Sequence, residues 1–189
     1  FTPADFSIDG LTITEGKDYT KLANPQPVKD GKKEVVEFFW YGCGHCFKIE
    51  PAVQAWKTTL PEDVHLLRMP AQWNAPMQAH QRIAFTLQAL GKEDELNMKV
   101  FKAIQEQGRR LDSDDKITEF MVQNGIDKAA WEKTYKGFDV NANIVTADTL
   151  FKTYQLDGVP AFIVNGKYVV KGDTAQTLRV ISKLLAENK

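Results

Sequence analysis

Phe38-Phe-Trp-Tyr-Gly-Cys-Gly-His-Cys-Phe-Lys-Ile-Glu-Pro51 contains both cysteines of the chain, Cys43 and Cys46, separated by two residues. Three uses of such a pair are open, and spacing bears on each. A structural disulfide gains from closing a long loop of the unfolded chain, and a bridge across two residues closes almost none. A structural zinc site needs about four Cys, His or carboxylate ligands. Beyond the CxxC the chain offers only the isolated His65 and His80 besides His45, so no second ligand pair is in view. A redox pair fits better, provided that the first cysteine lies at a helix N-terminus, where the dipole and free N–H groups favour a thiolate.

The flanking sequence supplies that setting. Val35 to Tyr41 (VVEFFWY) is β-branched and aromatic, as a buried strand should be, and Gly42 breaks it. Beyond it Cys46, Ile49, Val53, Trp56 and Leu60 recur at spacings of three and four, which predicts a helix beginning at Cys43. Pro51 falls inside this stripe and is expected to kink the helix without ending it. Two cysteines three apart at a helix start place one sulfur in reach of a partner and turn the other inward.

Working outward, Val64 to Met69 reads as a second strand, Ala161 to Val164 as a third, and Tyr168 to Lys171 as its hairpin partner across Asn165-Gly166. A last helix carries Leu178, Ile181, Leu184 and Leu185. Between these β elements the period turns helical: Ile83, Leu87 and Leu90 before Gly91; Leu96, Val100 and Ile104 before Gly108; Ile117, Phe120 and Met121 behind a Ser113 cap; Asp127 to Tyr135; and Val140 to Phe151. The expectation is an α/β domain built from 1–72 and 142–189, with an all-helical insertion at 73–141. Asp112 to Asp115 reads as a charged helix start, not a ligand cluster.

Composition limits the function classes. The 189 residues are 43% hydrophobic and 26% charged, ordinary for a globular protein. With 24 Lys and Arg against 25 Asp and Glu the formal net charge is -1, so the basic footprint of a nucleic-acid binder is missing. No apolar run approaches the ~20 residues of a membrane helix. No leader precedes Phe1, which fits either a chain never exported or a mature one whose signal has been removed.

Together, a strand ending in Trp-Tyr-Gly-Cys-Gly-His-Cys, Pro51 five residues after the second cysteine, and Gly158-Val159-Pro160 ahead of a strand resemble the thioredoxin fold. The helical insertion makes the chain similar to the DsbA-type periplasmic dithiol oxidases, as do Gly16 to Leu22, Glu34 to Phe39 and Gly158 to Tyr168. That resemblance implies a Cys43–Cys46 disulfide as the redox group, with no cofactor and no metal, and a cis Val159-Pro160 that presents the Val159 backbone to a substrate strand. It implies that Glu37 lies beneath the cysteines with Glu50 and Arg68 near it, as residues that tune the redox pair. Trp40 and Tyr41 are expected to be part core and part substrate contact. His45 is expected to tune the thiolate, whereas His65 and His80 are expected to be surface or strand histidines.

Expected partners are reduced or unfolded exported proteins and a DsbB-like membrane quinone reductase, with the protein a periplasmic monomer, soluble or lipid-anchored. One departure stands out. The family's usual dipeptide is Pro-His, and Gly44-His45 is more typical of disulfide isomerases, so an isomerase or reductase remains the alternative, with a non-catalytic peptide-binding module behind it.

Overall fold

The computed structural model describes residues 1–28 and 31–187, so the ends of the expected 142–189 segment at 188 and 189 lie outside the described residues. Among the described residues five strands form one sheet: β1 Thr20–Lys21, β2 Lys33–Phe39, β3 Val64–Pro70, β4 Ala161–Val164 and β5 Tyr168–Lys171, in the order β1-β5-β4-β2-β3. The α helices are α1 Gly44–Lys57, α2 Ala75–Ala89, α3 Glu93–Gln105, α4 Asp114–Gln123, α5 Lys128–Tyr135, α6 Phe138–Thr153 and α7 Ala175–Ala186.

β4 joins the first strand of the redox motif to the C-terminal hairpin. It runs antiparallel to β2, with Val36 opposite Ile163 and Phe38 opposite Ala161, and antiparallel to β5. The hairpin turns at Asn165-Gly166, both at positive φ, and the Asn165 side chain accepts from the Glu34 backbone N–H at 2.9 Å. Two distant stretches of sequence are thus pinned in register.

Two compact units emerge. The first comprises Phe1–Phe39, His45–Arg68 and Thr153–Lys189, and the second Trp40–Gly44 and Met69–Lys152. The first is built on the sheet. Its core gathers Val35, Ile49, Val53, Trp56, Phe162, Val164, Leu178, Ile181 and Leu184 from β2, α1, β4 and α7, and the Trp56 indole N–H donates to Ser182 Oγ at 2.9 Å. In the second unit Phe85, Val140 and Ala147 are buried together, with Met69 and Ile144 against them. Among the described residues no helix is long and apolar enough to cross a membrane.

The helices lie where periodicity placed them, and the Ser113 cap is as expected. Ser113 caps α4 by accepting from the Lys116 N–H, and Asp127 caps α5 by accepting from the Ala130 N–H. Boundaries shift at several elements, three of them at the redox motif or the insertion. The insertion expected at 73–141 corresponds to a unit running from Met69 to Lys152, because the outer turns of α6 pack with Phe85. Strand β2 stops at Phe39, short of the expected Tyr41, since the side chains of Trp40 and Tyr41 are bonded within the helical unit. Helix α1 begins at Gly44, one residue after the expected start.

Candidate active site

Cys43 immediately precedes α1, so the unsatisfied N–H groups of the first helical turn lie directly after it in the chain. That turn contains no acidic residue to oppose a thiolate. Cys43 is partly exposed, and Cys46, on the inward stripe with Ile49 and Val53, is 1% exposed. Accessible and guarded sulfurs therefore fall as the spacing indicates. The helix runs through Pro51 to Lys57.

The loop that carries Cys43 is held at four places. The Cys43 N–H donates to Trp40 O at 3.0 Å. Gln105 Nε2, at the end of α3, donates both to Tyr41 O at 2.7 Å and to Cys43 O at 2.9 Å. Trp40 Nε1 donates to His80 Nδ1 at 2.8 Å, and His80 Nε2 donates in turn to Arg110 O at 2.7 Å. The Tyr41 hydroxyl bonds the buried Asn97, and its ring packs edge-on against Phe101. Gly42 completes the arrangement, because a Cβ there would lie 2.3 Å from the Trp40 ring.

Two expectations change here. Tyr41 is fully buried, so its ring braces the loop and offers no substrate contact, whereas Trp40 remains partly exposed. His80 is neither a surface nor a strand residue: it lies in α2, 4% exposed, as a neutral imidazole with one ring nitrogen accepting and the other donating. Burial holds its pKa below the usual value. His65 is exposed on β3, as expected.

Glu37, Glu50 and Arg68 meet as the resemblance implied. Arg68 Nε donates to Glu37 Oε1 at 2.8 Å and its terminal nitrogen to Glu50 Oε2 at 2.6 Å, with all three side chains 3% exposed or less. The guanidinium also lies over the Phe39 ring, 4.9 Å from its centroid. Alternation along β3 turns Leu66, Arg68 and Pro70 inward, which puts the one basic residue of that face against the carboxylate of β2.

His45 is exposed on the first turn of α1, and its Nδ1 donates to Asp173 Oδ2 at 2.7 Å. Lys48, three residues on, reaches the other oxygen of Asp173 at 3.4 Å. The hydrogen bond from His45 is the leading cause of a carboxyl held below its ordinary range. Val159-Pro160 is a cis peptide bond leading straight into β4, with both residues half-buried.

Asp173, Gln105 and Asn97 are parts of this arrangement that residue patterning missed. Gln105 and Asn97 are single polar residues of α3, Asn97 buried beside Val100 and Phe101, and carry no periodic signal. Asp173 sits in a short Gly-Asp-Thr turn 128 residues from its partner.

The DSBA-like thioredoxin domain matches residues 57–183. The thiol:disulfide interchange protein DsbA of Azotobacter vinelandii is 38% identical over 193 residues, spanning 100% of this chain and 87% of that protein. Its counterpart in Pseudomonas aeruginosa is 36% identical, over 93% of this chain and 86% of that protein. Among solved structures, Pseudomonas aeruginosa DsbA superposes with a TM-score of 0.84 at 34% identity, covering 94% of this chain and 97% of that one. Reduced DsbA1 from Neisseria meningitidis gives 0.83 at 28%, covering 94% and 95%.

Proposed function

Since the chain belongs to the DSBA-like thioredoxin domain family and is a thiol:disulfide oxidase, we propose that its redox centre is the Cys43–Cys46 pair, with Cys43 the exchanging sulfur. The relatives do not favour the isomerase or reductase that Gly44-His45 suggested. The observation that carries the assignment of roles is the placement of Cys43 immediately before α1 with Cys46 buried behind it.

The chemistry then runs in two exchanges. A substrate thiolate attacks Cys43 Sγ of the oxidised pair; the S–S bond breaks, Cys46 leaves with the electron pair and takes up a proton. A mixed disulfide joins Cys43 to the substrate. The substrate's second thiol, having lost its proton, attacks the substrate sulfur of that bond and expels Cys43 as thiolate. The substrate has lost two electrons and two protons, and the pair is a dithiol. Whatever stabilises the Cys43 thiolate makes it the better leaving group and favours handing the disulfide onward. About 1.4 kcal/mol of such stabilisation corresponds to roughly 30 mV in this two-electron couple.

The remaining residues take supporting roles. His45 and Gly44, between the sulfurs, tune the thiolate; Glu37, Glu50 and Arg68 tune it from within the first unit. Val159 and Pro160 offer a backbone edge to an extended substrate, with Trp40 beside the motif in sequence as a further contact. The redox domain is formed by both chain ends, with the helical unit inserted between them. By family resemblance the protein works in the periplasm as a monomer, soluble or lipid-anchored, acts on reduced exported proteins and is reoxidised by a DsbB-like quinone reductase.

Titration against glutathione tests the oxidase assignment, and rapid alkylation tests the roles. In the reduced protein Cys43 is expected to react fast and Cys46 slowly. Equal rates, or faster labelling of Cys46, would reverse the two roles.

A further inference from the structure

The turn between β5 and α7 brings a carboxylate to the histidine of the redox motif, and nothing in the exchange steps above uses it. Its placement is built into the turn. Gly172 has φ +140, and a Cβ there would fall 2.3 Å from Thr177 Oγ1, so a side chain is excluded and the backbone can close on the first turn of α7. Thr174 caps that helix in a reciprocal pairing with Thr177. Asp173 is held between these two residues, its side chain 20% exposed. Its two oxygens accept from side chains three residues apart on one face of α1, His45 at 2.7 Å and Lys48 at 3.4 Å.

An ionised carboxylate can only accept, so His45 Nδ1 must carry the proton of that bond. Only Nε2 remains to exchange a proton with, or donate to, a sulfur of the motif. Without Asp173 the exposed ring loses the acceptor that fixes its Nδ1–H, and either nitrogen can turn to solvent.

We propose that Asp173 is a positioning residue of the disulfide exchange: it anchors the Nδ1 edge of His45 and so commits Nε2 to the sulfurs of Cys43-Gly44-His45-Cys46. The proposal rests on the reading of His45 as the residue that tunes the thiolate. Asp173 comes to the ring from the β5–α7 turn, with Lys48 of α1 on its other oxygen. Lys48 takes its share of the same carboxylate and does not compete for Nε2.

The test measures the equilibrium constant with glutathione, and the absorbance of the thiolate against pH, for the parent protein and for H45S, D173N, D173E and the H45S/D173N pair. The expected result is that D173N makes the protein less oxidising, with the constant moved about three- to tenfold in the direction of H45S and the thiolate profile moved toward higher pH. D173E, which keeps the carboxylate, recovers part of the shift. D173N adds nothing once His45 is gone. An equilibrium constant for D173N that is unchanged or more oxidising, while H45S is shifted, overturns the role of Asp173. If H45S itself leaves the constant unmoved, the fault lies with the reading of His45 on which the proposal stands. An equal shift by D173N in the presence and absence of His45 also overturns it, since the carboxylate would then act without the ring.

Discussion

Helix α1 contributes to two polar groups of opposite character. Glu50 enters the Glu37–Arg68–Glu50 network, with every side chain 3% exposed or less, and His45 enters the pair with Asp173, its own side chain 76% exposed. The hydrogen bonds are of similar length, from 2.6 to 2.8 Å. Solvent makes the difference. Water can replace either member of the exposed pair, so losing one costs the fold little. Removing one member of the buried network leaves charge in a medium that cannot solvate it. The buried group is therefore expected to act on stability first, while the exposed pair is expected to have little hold on it.

The largest expected effect is that of R68M, which strands the carboxylates of Glu37 and Glu50 in the interior. A loss of about 3–5 kcal/mol in urea unfolding is expected. A variant as stable as the parent would mean that those carboxylates take up protons or find water, and the contrast between the regions would fail. E37Q is milder, since an amide can still accept from Arg68 while the net charge changes. It should cost about 1–3 kcal/mol and also move the glutathione equilibrium. A change in the equilibrium without a change in stability would place Glu37 with the exposed group.

His80 offers an intermediate case, buried yet uncharged. Its folded pKa is depressed by desolvation, so below the ordinary histidine value the unfolded chain binds a proton that folded His80 refuses. Stability from this source is complete above about pH 6.5, the unfolded value. It declines as pH falls toward the depressed folded value and levels off below it. Urea midpoints taken across that window are expected to fall with acid, and H80Q should remove this component; an identical pH dependence in H80Q would assign the acid loss to other groups. The smallest effect is that of D173N on stability: its urea midpoint is expected to match the parent's despite the altered redox equilibrium. A marked drop would show the Gly172–Thr174 turn to be structural in its own right.

The same contrast explains what could be read from residues alone. Strands β4 and β5 and the Ser113 and Asp127 caps are written in local chemistry: β-branched runs, an Asn-Gly turn, an oxygen three residues ahead of a free N–H. The redox pair is as local, its spacing of three being the helical one. Glu37 was visible as a carboxylate in an apolar strand, a conflict that demands a partner, though only the resemblance suggested Arg68. Tyr41 and His80 were misjudged because their environments are made by distant residues, Asn97 and Phe101 for one, Trp40 and Arg110 for the other. Asp173 gave no sign, since an aspartate before a helix reads as ordinary turn chemistry until the fold brings His45 to it.

The central claim is that the folded protein stabilises the Cys43 thiolate and that its disulfide is therefore oxidising. It is tested most directly by comparing the unfolding of oxidised and reduced protein at neutral pH. A disulfide closing so short a loop restricts the unfolded chain only slightly. Folding is held to lower the pKa of Cys43, so the dithiol gains stability wherever pH exceeds the folded value. That gain levels off above the unfolded thiol's pKa and vanishes as pH falls through the folded one. The reduced protein is predicted to melt at the higher temperature, by a margin that narrows in acid. A higher midpoint for the oxidised protein would contradict the account, because the disulfide would then be the form the fold prefers and the pair would be suited to reduction.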